Sequence, residues 1–252
     1  MLNEKLVLMQ AVKEAGAAVL ALQCENMFVA HKLNRDVLTE ADVSANQIIK
    51  EHILAAFPED GWLSEESADD ATRLSKSRVW IVDPIDGTRE YVKNIPEYAV
   101  SVALIENGAP RLAAVFNPAT NELFFAEAGK GAWMGQQKLQ CRADVNHFIL
   151  LASRSEFERG EWDQFAEYNV QVIGSIAYKL ALVAAGKASA TFSLSPKNEW
   201  DIAAGVLLIQ EAGGTVTDKS FTPFIFNQAK TKVNGIIAGS KAAFAVLQST
   251  LF

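Results

Sequence analysis

Cysteine is scarce in this 252-residue chain. Cys24 and Cys141 are the only two, far apart and outside any metal-ligand spacing. That excludes a disulfide framework and points to free thiols in a reducing, cytoplasmic setting. Histidine is almost as scarce: His31, His52 and His147 are scattered, with no HExxH or paired spacing, so a zinc site is not expected. Positive charge is in deficit, with 23 Lys and Arg against 30 Asp and Glu and a net charge of −7. General nucleic-acid binders carry the opposite balance, so that class is set aside, although a local basic pocket is not. No apolar stretch approaches the roughly 20 residues that span a bilayer. The opening MLNEKLVLMQAVKEAG carries acids early and no cleavage-like site, so no signal peptide is expected. There is no P-loop and no GxGxxG, and the GKG at Gly129 to Gly131 reads as a hairpin turn.

What is present is a chain that is 50% hydrophobic, enough for one large domain or two small ones. Leu2, Leu6, Met9, Val12 and Val19 fall at near-helical spacing and predict an amphipathic helix over residues 2–22. Thr39 is a good N-cap for a second helix running through Ile49 and Ile53, with Pro58 beyond its end. WLSEES, residues 62–67, reads as a short strand or loop, and ADDATRLSKS as an exposed polar segment. From Ala99 onward a series of antiparallel strands turns at Asn107-Gly108, Asn117-Pro118 and Gly129 to Gly131. From residue 147 strands and helices alternate, which is α/β organisation. Two packed subdomains are expected, residues 1–146 and 147–252, with the second carrying Asp201.

The densest chemistry lies in WIVDPIDGTREY, residues 80–91. Val79 to Val82 read as a buried strand. Asp83 and Asp86 then place two carboxylates close together at its carboxyl end, where open α/β sheets hold their ligands. Such a pair resists joint ionisation unless a cation stands beside it. Hard ions such as Mg²⁺ prefer oxygen ligands of this kind. Gly87 and Thr88 open a short helix whose first N–H groups offer a phosphate cradle. Further acids are Glu65 and Glu66 in SEES, Asp42 in LTEAD and Asp201 in EWDIAAG. Taken singly, each also reads as a solvated acid or a first-turn acid complementing a helix dipole.

Together, LTEAD, SEES, DPIDGT, GSIAYK and WDIAAG cover nearly the whole chain in the order of one family. The sequence resembles the Mg²⁺-dependent, lithium-sensitive phosphomonoesterases of the inositol monophosphatase superfamily. The resemblance implies the layered α-β-α-β-α sugar-phosphatase fold and two or three Mg²⁺ ions. It implies that Glu65, Asp83, Asp86, Asp201 and the carbonyl of Ile85 are metal ligands, with Gly87 and Thr88 at the phosphate. Thr88, held by Asp42, would orient the attacking water with Glu65. No covalent enzyme nucleophile is required.

Arg89-Glu90-Tyr91 after DPIDGT, together with EWD and GSIAYK, is similar to the bacterial 3'(2'),5'-bisphosphate nucleotidases (CysQ-type). In that branch a serine and a lysine meet the substrate's far phosphate, which maps to Ser175 and Lys179. The arginine often found before EWD is absent, and Lys197 stands near its place. Leu194 lies where inositol-specific enzymes carry a glutamate. The resemblance thus implies a small phosphorylated substrate, adenosine 3',5'-bisphosphate first and an inositol or other polyol phosphate as the alternative. It leaves a homodimer open, and a non-enzymatic partner role in transcription would leave the carboxylate set unexplained.

Overall fold

The computed structural model describes residues 2–23, 29–31, 37–142 and 147–251. Cys24 and the expected boundary at residue 146 lie outside them. The chain opens with α1 (Leu2–Ala21), a small pair β1 (Val29–His31) and β2 (Val37–Thr39), and α2 (Glu40–Ala56). Then come β3 (Gly61–Ser64), β4 (Arg78–Asp86), α3 (Thr88–Val92), β5 (Ala99–Glu106), β6 (Ala109–Asn117), β7 (Glu122–Glu127), β8 (Gly131–Met134) and β9 (Gln137–Lys138). Strands β3 to β9 form a seven-stranded sheet in chain order, parallel between β3 and β4 and antiparallel elsewhere.

The apolar run of β4 is continuous because both faces of this sheet are covered. Trp80 and Val82 pack with α1 and α2 residues such as Leu8, Val12, Ile49 and Ile53. Val79 and Ile81, one pleat over, enter the central core.

The later elements are β10 (Ile149–Ala152), α4 (Arg154–Glu158), β11 (Asn169–Val172), α5 (Ile176–Ala184), β12 (Ala190–Ser193), β13 (Lys197–Asn198) and α6 (Glu199–Glu211). They continue with β14 (Thr215–Thr217), β15 (Lys232–Val233), β16 (Ile236–Gly239) and α7 (Lys241–Leu251). A second sheet has the order β11-β10-β12-β16-β14. Its first three strands are parallel, while β16 runs antiparallel to both neighbours. Helices α5 and α6 lie between the sheets, in a core that joins Ile81 and Val115 on one side to Leu151 and Ala238 on the other. Phe244 and Leu247 of α7 cover the outer face, with Trp162, Phe165 and Phe192. The layers are therefore α-β-α-β-α, as the resemblance implied.

Residues 68–77 depart from expectation. A 3₁₀ turn (Ala71–Ser75) interrupts this polar segment, and Arg73 within it is only 2% exposed. The sequence reading also missed the short β13–β15 pair and β14. Cys141 is buried, which pushes its thiol up to about 12. Among the described residues, no helix is long and apolar enough to cross a membrane.

Candidate metal centre

Two strand ends and four helix starts build the site. Thr39 caps α2 with an extended backbone, and Asp42 closes a capping box. Asp42 Oδ2 accepts from Thr39 N at 2.8 Å and Thr39 Oγ1 at 2.6 Å. Its other oxygen, Oδ1, lies 3.1 Å from Thr88 Oγ1, which also lies 2.9 Å from the carbonyl of Ile85.

On β4, Asp83 is 1% exposed, and its Oδ1 accepts from Ile85 N at 3.1 Å. The register against β5 shifts between Asp83 and Asp86, a bulge that brings the second carboxylate round. Gly87 follows at φ +97, and a Cβ there would stand 2.9 Å from the Glu97 carbonyl, so only glycine fits the turn without strain.

Glu65 follows β3 directly, and its N donates to Val82 O at 3.2 Å. Asn46 of α2 pins the loop: Oδ1 accepts from Ser64 Oγ at 2.7 Å, and Nδ2 donates to Ser67 Oγ at 3.1 Å. Asp201 sits in the first turn of α6 with Oδ2 accepting from Asn198 N at 2.7 Å. Carboxylate oxygens of Glu65, Asp83 and Asp201 lie within 4.8 Å of one another. Asp86 lines the same pocket, and its Oδ2 accepts from Ser175 Oγ and Ala177 N, both at 2.6 Å, at the start of α5.

Crowding shows in the acidities. Burial, then the charge of Glu65, holds Asp83 well above the carboxylate range. Burial, then Asp86, pushes Asp201 up to about 8. Burial also raises Asp42 and Asp86. A cluster of hard oxygen donors that resists ionisation by itself fits a divalent cation, which restores the charged form of each.

The pocket above the cluster measures about 440 Å³. Its lining contains Glu65, Asp83, Ile85, Asp86, Gly87, Thr88, Ser175, Lys179 and Asp201 from the sequence-predicted set. Asp42 is not in the lining and reaches the pocket through Thr88. Leu194 is not in the lining either and packs against the outer core.

Ser175, at φ +54, spends its hydroxyl hydrogen on Asp86 and accepts from Tyr178 N at 3.0 Å. Lys179 is buried, and its Nζ donates to the carbonyls of Ile173 and Ser175, each at 3.1 Å. Burial pulls it down to about 8.

Sequence reasoning named Lys179 and Lys197 but missed Arg154 and Arg159, which complete the basic part of the lining. Arg154 bonds Glu97 through Nη2 at 2.6 Å and faces Glu90 at 3.4 Å. Lys197 Nζ meets the buried Glu156 at 3.2 Å, and Glu156 also accepts from Ser193 Oγ at 2.5 Å. Arg159 completes this side of the lining. The SRSE that follows β10, four polar residues at a strand's carboxyl end, was the sequence signal for Arg154.

A family model described as the inositol monophosphatase family matches residues 3–250. An inositol-1-monophosphatase of Rhizobium meliloti is 36% identical over 225 residues, 84% of this chain and 84% of that protein. The 3'(2'),5'-bisphosphate nucleotidase CysQ of Shigella flexneri is 33% identical over 234 residues, 89% of this chain and 94% of that one. The crystal structure of extragenic suppressor protein suhB from Bartonella henselae superposes with a TM-score of 0.86 at 31% identity, covering 97% of this chain and 96% of that one. With its acidic cluster and layered fold, the chain belongs to the inositol monophosphatase family.

Proposed function

We propose that the protein is a Mg²⁺-dependent phosphomonoesterase that prefers small substrates with two anionic groups, adenosine 3',5'-bisphosphate first among them. The observation that carries this reading is the pocket's bipolar lining. Glu65, Asp83, Asp86, Glu90 and Asp201 contribute acids, and Arg89, Arg154, Arg159, Lys179 and Lys197 contribute bases. With every group ionised the two sets balance, so bound Mg²⁺ would make the pocket net positive and favour a polyanion.

Glu65, Asp83, Asp86, Asp201 and the Ile85 carbonyl would hold the ions, which supply Lewis acidity and a water of lowered pKa when bound. The chain supplies the rest. The single hydroxyl hydrogen of Thr88 serves Asp42 or Ile85 but not both. Given to Asp42, it leaves the oxygen's lone pairs to accept a hydrogen bond from the attacking water and so aim it. Gly87 and Thr88 add backbone N–H groups toward the reacting phosphate. Lys197 and Arg154 receive the second anion. The ammonium of Lys179 has three hydrogens and gives two to carbonyls, which leaves one for the substrate. Ser175 serves the same wall by fixing Asp86.

The relatives include both an inositol-1-monophosphatase and a bisphosphate nucleotidase, so substrate choice rests on the pocket. The test is kcat/KM for adenosine 3',5'-bisphosphate, inositol 1-phosphate, fructose 1,6-bisphosphate and histidinol phosphate, with and without Mg²⁺. The bisphosphates should lead, and only with Mg²⁺. Faster turnover of inositol 1-phosphate would replace the substrate reading and leave the phosphatase reading. Absence of Mg²⁺-dependent turnover on the whole panel would remove both.

A further inference from the structure

We propose that Arg73 and Glu199 are positioning residues, two ends of a strut that sets the separation of Glu65 and Asp201 and thereby the site's affinity for divalent cations. The inference rests on the metal reading above. Glu65 and Asp201 come from different parts of the chain, the β3–β4 connection and the first turn of α6. Their oxygens nevertheless fall within 4.8 Å of each other and of Asp83. Something must hold those two segments at that spacing against the repulsion of their charges.

The segment around Asn227 and Gln228 lies between them. Arg73, eight residues after Glu65, gives Nη1 to Asn227 Oδ1 at 2.6 Å and Nη2 to the Gln228 carbonyl at 3.1 Å. Asn227 Nδ2 returns to the Arg73 carbonyl at 3.0 Å. From the other side, Glu199 accepts Asn227 N on Oε2 at 2.7 Å and Gln228 N on Oε1 at 2.8 Å. Five bonds thus converge on two residues. Asp69 anchors the outer end with a bidentate pair to Arg73 at 2.6 and 2.9 Å.

Both ends of the strut are stiff. Arg73 is 2% exposed and Glu199 is fully buried. A planar guanidinium that donates four hydrogen bonds to Asp69, Asn227 and Gln228 has little freedom to drift. Asn227 sits at φ +62, a conformation asparagine tolerates and most residues do not. Glu199 is two residues from Asp201 on the same first turn, so a shift of one carries the other. Neither Arg73 nor Glu199 lines the pocket, so neither meets substrate or the reacting atoms. Their effect is confined to where the ligands stand. That predicts a selective consequence: weaker cation binding, with chemistry intact once cation saturates.

The test is calorimetric titration of the metal-stripped protein with MgCl₂ at pH 8, in wild type, Glu199→Gln and Asn227→Gly. Glu199→Gln keeps the size but turns an NH₂ against one of the two backbone donors. Asn227→Gly relaxes the backbone and removes two of the three bonds to Arg73 while leaving the Gln228 carbonyl bond and the Glu199 bonds, so it serves if Glu199→Gln fails to fold. Gly16→Ala is the control for general instability: its new Cβ would stand 2.4 Å from Phe116 Cε1 on the far side of the large sheet.

The expected result is at least fivefold weaker Mg²⁺ binding in both strut variants, kcat within about twofold of wild type at saturating Mg²⁺, and unchanged binding in Gly16→Ala. Mg²⁺ affinity within twofold of wild type in the strut variants overturns the proposal. So does an equal loss in Gly16→Ala. Failure of the wild type itself to bind Mg²⁺ would strike the metal reading, a distinct outcome from either.

Discussion

Replacing Asp201 with Asn should make the metal-free protein more stable while it destroys function. Burial and the neighbouring Asp86 charge push Asp201 up to about 8 from its ordinary 3.8. A carboxyl whose folded pKa lies above its unfolded value holds its proton more tightly in the folded chain. Its contribution to stability is therefore full below about 4 and is lost as pH rises toward 8. One unit of displacement is worth about 1.36 kcal/mol, so the whole displacement corresponds to a ceiling of roughly 5–6 kcal/mol. The pocket is open to water, which relaxes and screens much of that and leaves about 1–2 kcal/mol at pH 8. Asn keeps the size and can still accept from Asn198 N, so the α6 cap survives. A chain of this length gains about 2–4 °C in Tm per kcal/mol, so the EDTA-treated variant should melt about 2–8 °C higher at pH 8.

The assay is thermal unfolding of both proteins at pH 5 and pH 8, in EDTA and in Mg²⁺. Wild type without metal should lose stability between pH 5 and 8, and Asp201→Asn should lose less. With Mg²⁺ at 100 times its Kd, wild type should gain about 2.7 kcal/mol and the variant much less. An EDTA-treated variant that melts below wild type at pH 8, with the same decline from pH 5, would refute the claim that the acids oppose one another.

Asp42→Asn should lower kcat by about 100-fold, because Thr88 loses the acceptor that aims it, while calorimetry finds Mg²⁺ binding within a few-fold of wild type. Lys197→Ala and Lys179→Ala should each lower kcat/KM for adenosine 3',5'-bisphosphate about tenfold, roughly 1.4 kcal/mol, and change a monophosphate much less; equal losses on both substrates would point to a folding defect. Gly205→Ala places a methyl 2.4 Å from Leu180 Cδ1 and 2.6 Å from its Cβ, between α5 and α6. Overpacking costs about 1–3 kcal/mol and better helix propensity returns up to ~1, so urea unfolding should show a net loss of about 1–2 kcal/mol.

Local chemistry was legible in the sequence. The Thr39 cap, the strand into Asp83, the short helix after Gly87 and the three hairpin turns each depend on residues within a few positions, and each stands where the pattern put it. The layer order was legible only through the family resemblance, because periodicity does not say which helix lies between two sheets. The mixed second sheet shows the limit, since alternating strands and helices suggest parallel pairing and β16 runs the other way. Arg73 was read as exposed because its neighbours are polar; its burial depends on Asn227 and Gln228, about 154 residues away. Arg154 of the basic wall was missed for the same reason, and Lys197 was named without its partner. Arg154 and Lys197 are 43 positions apart and meet at one pocket only through β10 and β13.

One feature unites the four aspartates of the site. Asp42 Oδ2 accepts from Thr39 N, Asp83 Oδ1 from Ile85 N, Asp86 Oδ2 from Ser175 Oγ and Ala177 N, and Asp201 Oδ2 from Asn198 N. Asp42, Asp83 and Asp201 are fixed by backbone N–H groups of their own segments, and Asp86 by the start of α5, before any cation arrives. One oxygen of every carboxylate stays outside that bond. Rotamer freedom is thus removed during folding, and cation binding need not supply that ordering. The same arrangement explains how the chain tolerates carboxylates that oppose each other: the hydrogen bonds lower the pKa values that burial raises, and the remaining repulsion is what a divalent cation relieves. Stability without metal and affinity for metal are then opposed through the same side chains, and a substitution that improves the first by deleting a carboxylate must weaken the second.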